Sequence, residues 1–226
     1  MLSQNYSQFF RDLAQQNERD WFHANKKRYE TDAKQPFLEL VGIIIEKLQQ
    51  STEPDWTVDA KQCLFRINRD IRFSTDKRPY KEHLSASVGK FGTKDKTLPG
   101  HYLQMEGEKA FLAGGAYFFE EKEMLKRVRY YIMDNHETFA ELLAAPDFQK
   151  YWGVVVGEKN KRLPPEFADF FDVQPLIANK QFYWTKDILP ADAAQFKSLE
   201  DWANHIVAYF QAAKPMNDFL TEAMFS

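Results

Sequence analysis

The sequence is poor in cysteine and in long apolar runs. Cys63 is the only cysteine, which excludes an internal disulfide and fits a reducing compartment. The first residues lack the basic segment and apolar core of a signal peptide, so we expect no leader. The most apolar helix-like window, 37–48, is interrupted by two glutamates and is too short to span a bilayer. We therefore expect a soluble, cytoplasmic protein with no membrane partner.

Patterns for metal, phosphate-loop and nucleophile chemistry are missing as well. The five histidines form neither His-x-His nor His-Glu-x-x-His, so we predict no metal site. No glycine-rich phosphate loop of either standard spacing occurs. The lone Cys63 is more typical of a small core residue than of a nucleophile. We identify no cofactor, and because no nucleophile–base pair is readable, the sequence leaves open whether the chain is an enzyme.

Basic residues are concentrated in one segment. Residues 61–81 contain seven Lys or Arg and two Asp, a local charge of +5, whereas the whole chain carries a net charge of −3, which leaves −8 for the remainder. A basic segment in an otherwise acidic protein indicates an anionic partner.

Apolar residues recur at helical spacing in both terminal parts of the chain. We predict helices at about 3–16 and 19–31, from 36, from 120, at 135–145 and from 199. Pro36 is suited to the first position of its helix. Pro215 is expected to break the last helix and to restart a short terminal one.

In the middle of the chain the hydrophobic period changes to two, which is typical of strands. We predict four strands, at about 65–73, 84–88, 101–106 and 110–118. Their connections include a polar hairpin loop at 91–100 and a turn at 107–109, and they are short enough to favour an antiparallel sheet over βαβ units. The sequence therefore predicts one α+β domain over residues 1–226, with a mainly antiparallel sheet at about 63–119 flanked by N-terminal and C-terminal helices.

The first predicted strand has one polar and one apolar face. Successive side chains of a strand point to opposite faces, so we expect Arg66, Asn68, Asp70 and Arg72 on one face. The two arginine forks are suited to bidentate binding of carboxylate or phosphate oxygens. Asp70 between them would hold the arginines in position or act as a base or metal ligand. It is our candidate catalytic residue.

Further donors follow the predicted end of this strand. We add Ser74, Lys77, Tyr80 and Lys81 to the candidate ligand-binding residues. Arg69 falls among the apolar side chains, so it lies either at a bulge or beside a buried acidic partner, because an unpaired buried charge is prohibitive. The competing interpretation is a solvated face whose ion pairs have no binding role.

A second polar and aromatic face lies near the N-terminus. Trp21, Asn25 and Tyr29 recur four residues apart and share one side of a helix. Both aromatic side chains carry a polar group, whereas a pure core face is more often built from Leu or Phe. This face is either core packing with one satisfied asparagine or one wall of a pocket.

Two long motifs closely resemble a known family, domain of unknown function 2461. They are NERDWFHANKKRYE, residues 17–30, and FRINRDIRFSTDKRPYK, residues 65–81. The tracts GHYLQME, FLAGGAYFF and LIANKQFYWTK are similar to the family as well, so the resemblance covers most of the chain. One departure is Asn179, which stands where a basic residue is expected.

The resemblance implies a single α+β domain and brings no established activity, substrate or catalytic residue. Its strongest positions fall on the two segments already described. They are Asn25, Lys26 and Tyr29 in the first motif and Arg66, Arg69, Asp70, Arg72, Ser74, Asp76, Lys77, Tyr80 and Lys81 in the second.

Three functions fit these observations. The first is binding of, or catalysis on, a small phosphorylated or carboxylated ligand clamped by Arg66 and Arg72. The second is binding of single-stranded nucleic acid with help from Phe73 and Tyr80, although a sequence pI near 6.0 argues against non-specific coating of a duplex. The third is a structural network of Arg, Asp and Tyr that stabilises the sheet and a subunit contact. The sequence favours the first function and leaves the oligomeric state open.

Overall fold

The computed structural model of the chain describes residues 2–94, 98–107 and 109–226. Residues 95–97 of the predicted loop and residue 108 of the predicted turn lie outside this description. The fold is α+β: an open, four-stranded antiparallel sheet is flanked by N-terminal and C-terminal helices, and strands that are neighbours in the chain are neighbours in the sheet. The predicted fold class is therefore confirmed.

Helices occupy the N-terminal part of the chain, as the apolar spacing predicts. They are α1 Gln4–Gln15, α2 Arg19–Ala24, α3 Lys26–Arg28, a π-helical turn Tyr29–Lys34, α4 Gln35–Ser51 and the short α5 Ala60–Cys63. Ser3 caps α1, because its hydroxyl oxygen accepts a hydrogen bond from the Tyr6 amide at 3.0 Å. Pro36 lies in the first turn of α4, directly after the π-helical turn, as its predicted place at a helix start requires.

The sheet contains three of the predicted strands and a fourth that the alternation does not predict. Its strands are β1 Leu84–Val88, β2 Gly100–Met105, β3 Ala110–Ala116 and β4 Phe182–Ile188. In β2 and β3 buried and partly exposed residues alternate, which is the period-two pattern of the sequence. The start of β4, Phe-Tyr-Trp-Thr, is aromatic and β-branched, which is typical of a strand, but it lies far from the other three in the chain.

The predicted strand at 65–73 is wrong. The chain makes only two isolated antiparallel bridges here, from Leu64 to Ala86 and from Asn68 to Tyr80. The segment after Asn68 contains no strand, so the four polar residues predicted for one strand face do not share such a face.

Two aspartates explain why the pairing ends. Asp70 Oδ1 accepts a hydrogen bond from the Arg72 amide at 3.2 Å, and Asp76 Oδ1 accepts one from the Arg78 amide at 3.0 Å. An aspartate that bonds the backbone two residues further on forms a turn, and this turn competes with the hydrogen-bond ladder of a sheet. The alternating sequence at 65–73 therefore leads into a loop with two such turns.

Helices return after the third strand. They are α6 Lys122–Asp134, α7 His136–Ala144, α8 Pro146–Tyr151, α9 Pro165–Ala168, α10 Pro190–Ala193 and α11 Leu199–Phe225. The predicted break at Pro215 is wrong, because α11 continues through it. Buried residues on both sides of the proline, Ala213 and Met216, supply packing that offsets the lost backbone hydrogen bond. No helix among the described residues has the length and apolar character needed to cross a membrane.

Backbone contacts divide the chain into two compact units. Unit 1 comprises Met1–Lys94, Tyr102–Leu112 and Asp187–Val207, and unit 2 comprises Asp95–His101, Ala113–Lys186 and Ala208–Ser226. In unit 1 the fully buried side chains of α1 and α4 form a core that includes Phe9 and Phe37. In unit 2 a core forms around Trp184 and Phe148, whose rings meet edge to face at 5.2 Å.

Candidate functional site

A cleft of about 800 Å³ in unit 1 brings the two sequence motifs together. One wall comes from α2, α3 and the π-helical turn, and the other comes from α5 and the segment that follows it. Five of the predicted ligand-binding residues line this cleft: Lys26, Tyr29, Arg66, Asn68 and Tyr80. Part of the predicted site is thus assembled, although not on a strand.

Asn17 joins the two motifs through the backbone of Tyr80. The Asn17 amide nitrogen donates to the Tyr80 carbonyl at 3.0 Å, and the Tyr80 N–H donates to the Asn17 side-chain oxygen at 3.1 Å. The Tyr80 ring is buried and stacks on Phe22 with 4.0 Å between ring centroids. These contacts fix residues 63 positions apart and hold the two walls of the cleft in register.

The π-helical turn shapes the helical wall. Its wider turn places Tyr29, Glu30 and Lys34 together along the cleft. Burial, together with the nearby charge of Glu30, raises the pKa of Tyr29 to about 12. Its hydroxyl therefore stays protonated at neutral pH and is suited to donate a hydrogen bond to an acceptor in the cleft.

Positive charge dominates the lining. The cleft has four Lys or Arg side chains and one carboxylate, and that carboxylate, Glu30, is paired with Lys34 at 2.9 Å. The other three cations are Lys26, Lys61 and Arg66, and none of them has a hydrogen bond or an ion pair from its side chain to a described residue. Three cations without an ion pair around one cleft create a positive potential that attracts an anion.

Apolar side chains form much of the remaining surface. Phe22, Leu38, Leu64, Phe65 and Ile67 line the cleft alongside the cations. A concave surface that combines apolar walls with a few polar groups is typical of small-molecule sites, and the volume falls within their usual range.

Asn25, by contrast, is used within its own helix turn. Its side-chain nitrogen donates to the Trp21 carbonyl at 2.9 Å, and its side-chain oxygen accepts from Arg28 at 3.1 Å. Asn25 does not line the cleft. These contacts match the interpretation of Asn25 as a satisfied asparagine, whereas Tyr29 on the same helix side belongs to the cleft wall.

Asp70 and Arg72 lie in the exposed loop and outside the cleft lining. The Arg72 guanidinium donates to both Asp70 oxygens, at 3.0 and 2.7 Å. These hydrogen bonds, with a smaller effect of the Arg66 charge, lower the pKa of Asp70. Ser74, half-buried in the same loop, is also absent from the lining. A catalytic role for Asp70 remains a prediction.

Arg69 is half-buried beside an acidic partner, which decides between the two alternatives left by the sequence. It donates to Asp76 at 2.7 Å and to the Arg78 carbonyl at 3.1 Å. Arg78 also binds Asp76 and forms an ion pair with Glu82. This ion-pair cluster, Arg69, Asp76, Arg78 and Glu82, holds the base of the loop.

Lys77 and Lys81 lie at two smaller depressions of unit 1. Lys77 donates to the Ile71 carbonyl at 3.0 Å and lines a depression of about 430 Å³. Lys81 lines another of about 260 Å³, where its ammonium lies 5.5 Å from the centroid of the Phe65 ring. Burial, together with the charge of Arg66, lowers the pKa of Lys81.

Sequence reasoning misses the roles of Asn17 and Lys61. Nothing in a single sequence announces the long-range bonds of Asn17 to Tyr80. Lys61 belongs to the basic segment but precedes the predicted strand. A signal for it exists, because Asp59 and Gln62 form a capping box that opens α5 and places Lys61 in its first turn. Within the described residues, no group of three His, Cys, Asp or Glu side chains is arranged to hold a metal ion.

The comparisons with known proteins agree with the motifs. No curated protein and no solved structure matches the chain. A family model described as "Conserved hypothetical protein (DUF2461)" matches residues 5–219, which include the two motifs and most of both units. The chain therefore belongs to the conserved hypothetical protein family DUF2461.

Proposed function

We propose that this protein binds a small ligand carrying a phosphate or carboxylate group in the cleft of unit 1. The observation that carries the proposal is the convergence of Lys26, Lys61 and Arg66 on one concave surface, where none of them forms an ion pair with a described residue. A guanidinium and two ammonium groups form charge-assisted hydrogen bonds with such oxyanions.

The apolar side chains of the cleft indicate the chemistry of the rest of the ligand. Phe65 and Leu64 are partly exposed beside the cations, so a ligand with an apolar or aromatic portion would bury their surface. A cytoplasmic location is part of the proposal, and it is supported by the free, buried thiol of Cys63.

The test compares two arginines of the same motif. Arg66 lines the cleft and Arg72 does not, and both side chains are exposed, so Arg66→Ala and Arg72→Ala remove the same charge at different places. Wild-type protein is screened by thermal shift against inorganic phosphate, nucleotides, sugar phosphates and di- and tricarboxylates at constant ionic strength. Calorimetric titration with the best compound then measures its Kd for each variant.

We expect Arg66→Ala to raise Kd by about tenfold or more, because a hydrogen bond to a charged group is lost, and Arg72→Ala to leave Kd nearly unchanged. Equal losses for both variants would move the site to the loop face that the sequence suggested. A wild type that no anion of the panel stabilises would contradict the proposal.

Nucleic-acid binding has less support. Tyr80 is buried against Phe22 and is not free to stack on a base, which leaves Phe73, 94% exposed, as the aromatic residue of the loop. Asp70 and Asp76 also place negative charge beside the arginines of the loop. Retention of oligonucleotides that falls steeply with salt would favour this alternative over a small ligand.

The structural alternative applies to a different part of the motif. No residue of the ion-pair cluster, Arg69, Asp76, Arg78 and Glu82, lines the cleft, whereas Tyr80, their neighbour in the chain, does. We propose that this cluster supports the loop while the cleft binds the ligand. Asp76→Asn should then reduce stability and leave the Kd of the ligand nearly unchanged.

A further inference from the structure

Unit 2 contains a buried arginine that forms no ion pair with a described residue. Arg129 on α6 is only 4% exposed, and no carboxylate of the described residues lies within ion-pair distance of it. One amino group of its guanidinium donates to the Asn179 carbonyl at 3.0 Å, and the guanidinium carbon lies 5.5 Å from the centroid of the Phe167 ring. A guanidinium remains charged at any physiological pH, so its burial without an anion is costly.

Other polar groups at this place also lack partners. Arg129 Nε is buried and has no hydrogen-bond partner among the described residues. Asn179 is 1% exposed, and both its side-chain nitrogen and its side-chain oxygen are buried without partners. Buried polar groups in folded proteins are almost always hydrogen-bonded, so a cluster of unsatisfied groups indicates that something outside the chain completes it.

A basic loop runs directly beside Asn179. Lys159 forms an antiparallel bridge with Asn179, and the Asn160 amide donates to the Ala178 carbonyl at 2.8 Å. Lys161 and Arg162 follow in the chain, are exposed, and have no ion pair with a described residue. Glu158 forms an ion pair with Lys180, and Glu166 forms one with Lys126. Burial lowers the pKa of Arg129 and the charge of Glu166 offsets part of this effect, but Glu166 forms no ion pair with this arginine.

We propose that Arg129, Asn179 and the basic loop 159–162 form a second anion site, which takes a small oxyanion such as inorganic phosphate, sulfate or a carboxylate. The anion would supply the direct ion-pair partner that the buried guanidinium lacks and an acceptor for Arg129 Nε and the Asn179 amide. The lysines and the arginine of the loop would attract it from solvent. This site belongs to unit 2 and does not depend on the cleft of unit 1.

The experiment first weakens anion binding in the cleft of unit 1 and then measures anion binding at the second site. In an Arg66→Ala background, the melting temperature is measured in sodium phosphate and in sodium chloride at equal ionic strength. We expect phosphate to raise the melting temperature above that in chloride. Adding Asn179→Asp places a carboxylate on the residue whose carbonyl already accepts from Arg129, without changing the side-chain volume. This variant should melt higher than its parent in chloride and should lose the response to phosphate.

Surface variants provide the second measurement, because they do not disturb the buried groups. Lys161→Ala with Arg162→Ala should raise the Kd of phosphate by about tenfold. Lys122→Ala with Arg127→Ala removes the same charge from exposed positions of α6 and should change Kd far less. The proposal is overturned if phosphate and chloride act alike in the Arg66→Ala background, if Asn179→Asp keeps the response, or if both surface pairs weaken binding equally.

Discussion

Asn17 and Tyr80 illustrate how much one polar side chain contributes at the scale of a residue. Asn17 is 9% exposed, and it satisfies both the N–H and the C=O of Tyr80. Because neither backbone group has another hydrogen-bond partner among the described residues, Asn17→Ala should lower the free energy of unfolding by about 2–4 kcal/mol. Urea denaturation measures this change. Asn68→Ala, at an exposed asparagine without side-chain hydrogen bonds to the described residues, is the control and should stay within about 0.5 kcal/mol of wild type.

Asp76 gives a prediction for pH dependence at the same scale. Hydrogen bonds from Arg78 and Arg69 hold the pKa of Asp76 well below its ordinary value of 3.8. A carboxylate whose pKa is lower in the folded than in the unfolded state stabilises the fold above the unfolded value, and this contribution is lost as the pH falls through the folded value.

Asp76→Asn should therefore lower the urea midpoint at pH 7, and the difference from wild type should shrink as the pH falls below about 4. Asp55→Asn is the matched control, because Asp55 is exposed and has no side-chain partner among the described residues. A difference between Asp76→Asn and wild type that stays constant down to the acid transition would contradict this account.

At the scale of elements, β3 and β4 approach each other so closely that one glycine position has no room for a side chain. Gly115 has φ +101°, and a Cβ there would collide with the Phe182 carbonyl oxygen and lie 2.8 Å from Tyr183 Cα. Gly115→Ala should therefore destabilise the fold by at least about 2 kcal/mol. A Cβ at Gly42 in α4 would meet no atom within 4 Å, so Gly42→Ala should stabilise the fold by about 0.5–1 kcal/mol. Thermal and urea denaturation of the two variants measure these opposite signs.

The same elements reveal what a single sequence can predict. Strands β2 and β3 and helices α1 and α4 follow from periodicity, because each buries one regular face. Strand β1 follows from its apolar residues Leu84, Ala86 and Val88, although Ser85 is buried as well. The segment at 65–73 has the same alternation, but Asp70 and Asp76 bond their own backbone and turn it into a loop. A proline at position 215 favours the end of a helix, and burial of its neighbours overrides that local preference.

The candidate site, like the fold, can be predicted only in part from the sequence. Local sequence singles out Arg66, Asn68, Lys26 and Tyr29, because residue type and charge mark them. Their meeting in one cleft depends on long-range contacts such as Phe22 with Tyr80, and a single sequence does not encode these in any local pattern.

At the scale of the whole molecule, the prediction of a single domain over residues 1–226 implies that the chain unfolds cooperatively. The chain has two compact units, yet β2, β3, β4 and α11 each have residues in both. Because these elements continue from one unit into the other along the chain, we expect one thermal transition with equal calorimetric and van't Hoff enthalpies. Two resolved transitions would establish that the units unfold as separate domains.

Cys63 has a practical consequence for this molecule. Its thiol is fully buried, burial raises its pKa to about 11, and its neighbours Lys61 and Leu64 line the cleft. A disulfide reagent can therefore modify the thiol only when this part of the chain opens, so the labelling rate measures local opening. A cleft ligand that holds α5 in place should lower the labelling rate of Cys63 in the wild type, and it should lose this effect in Arg66→Ala.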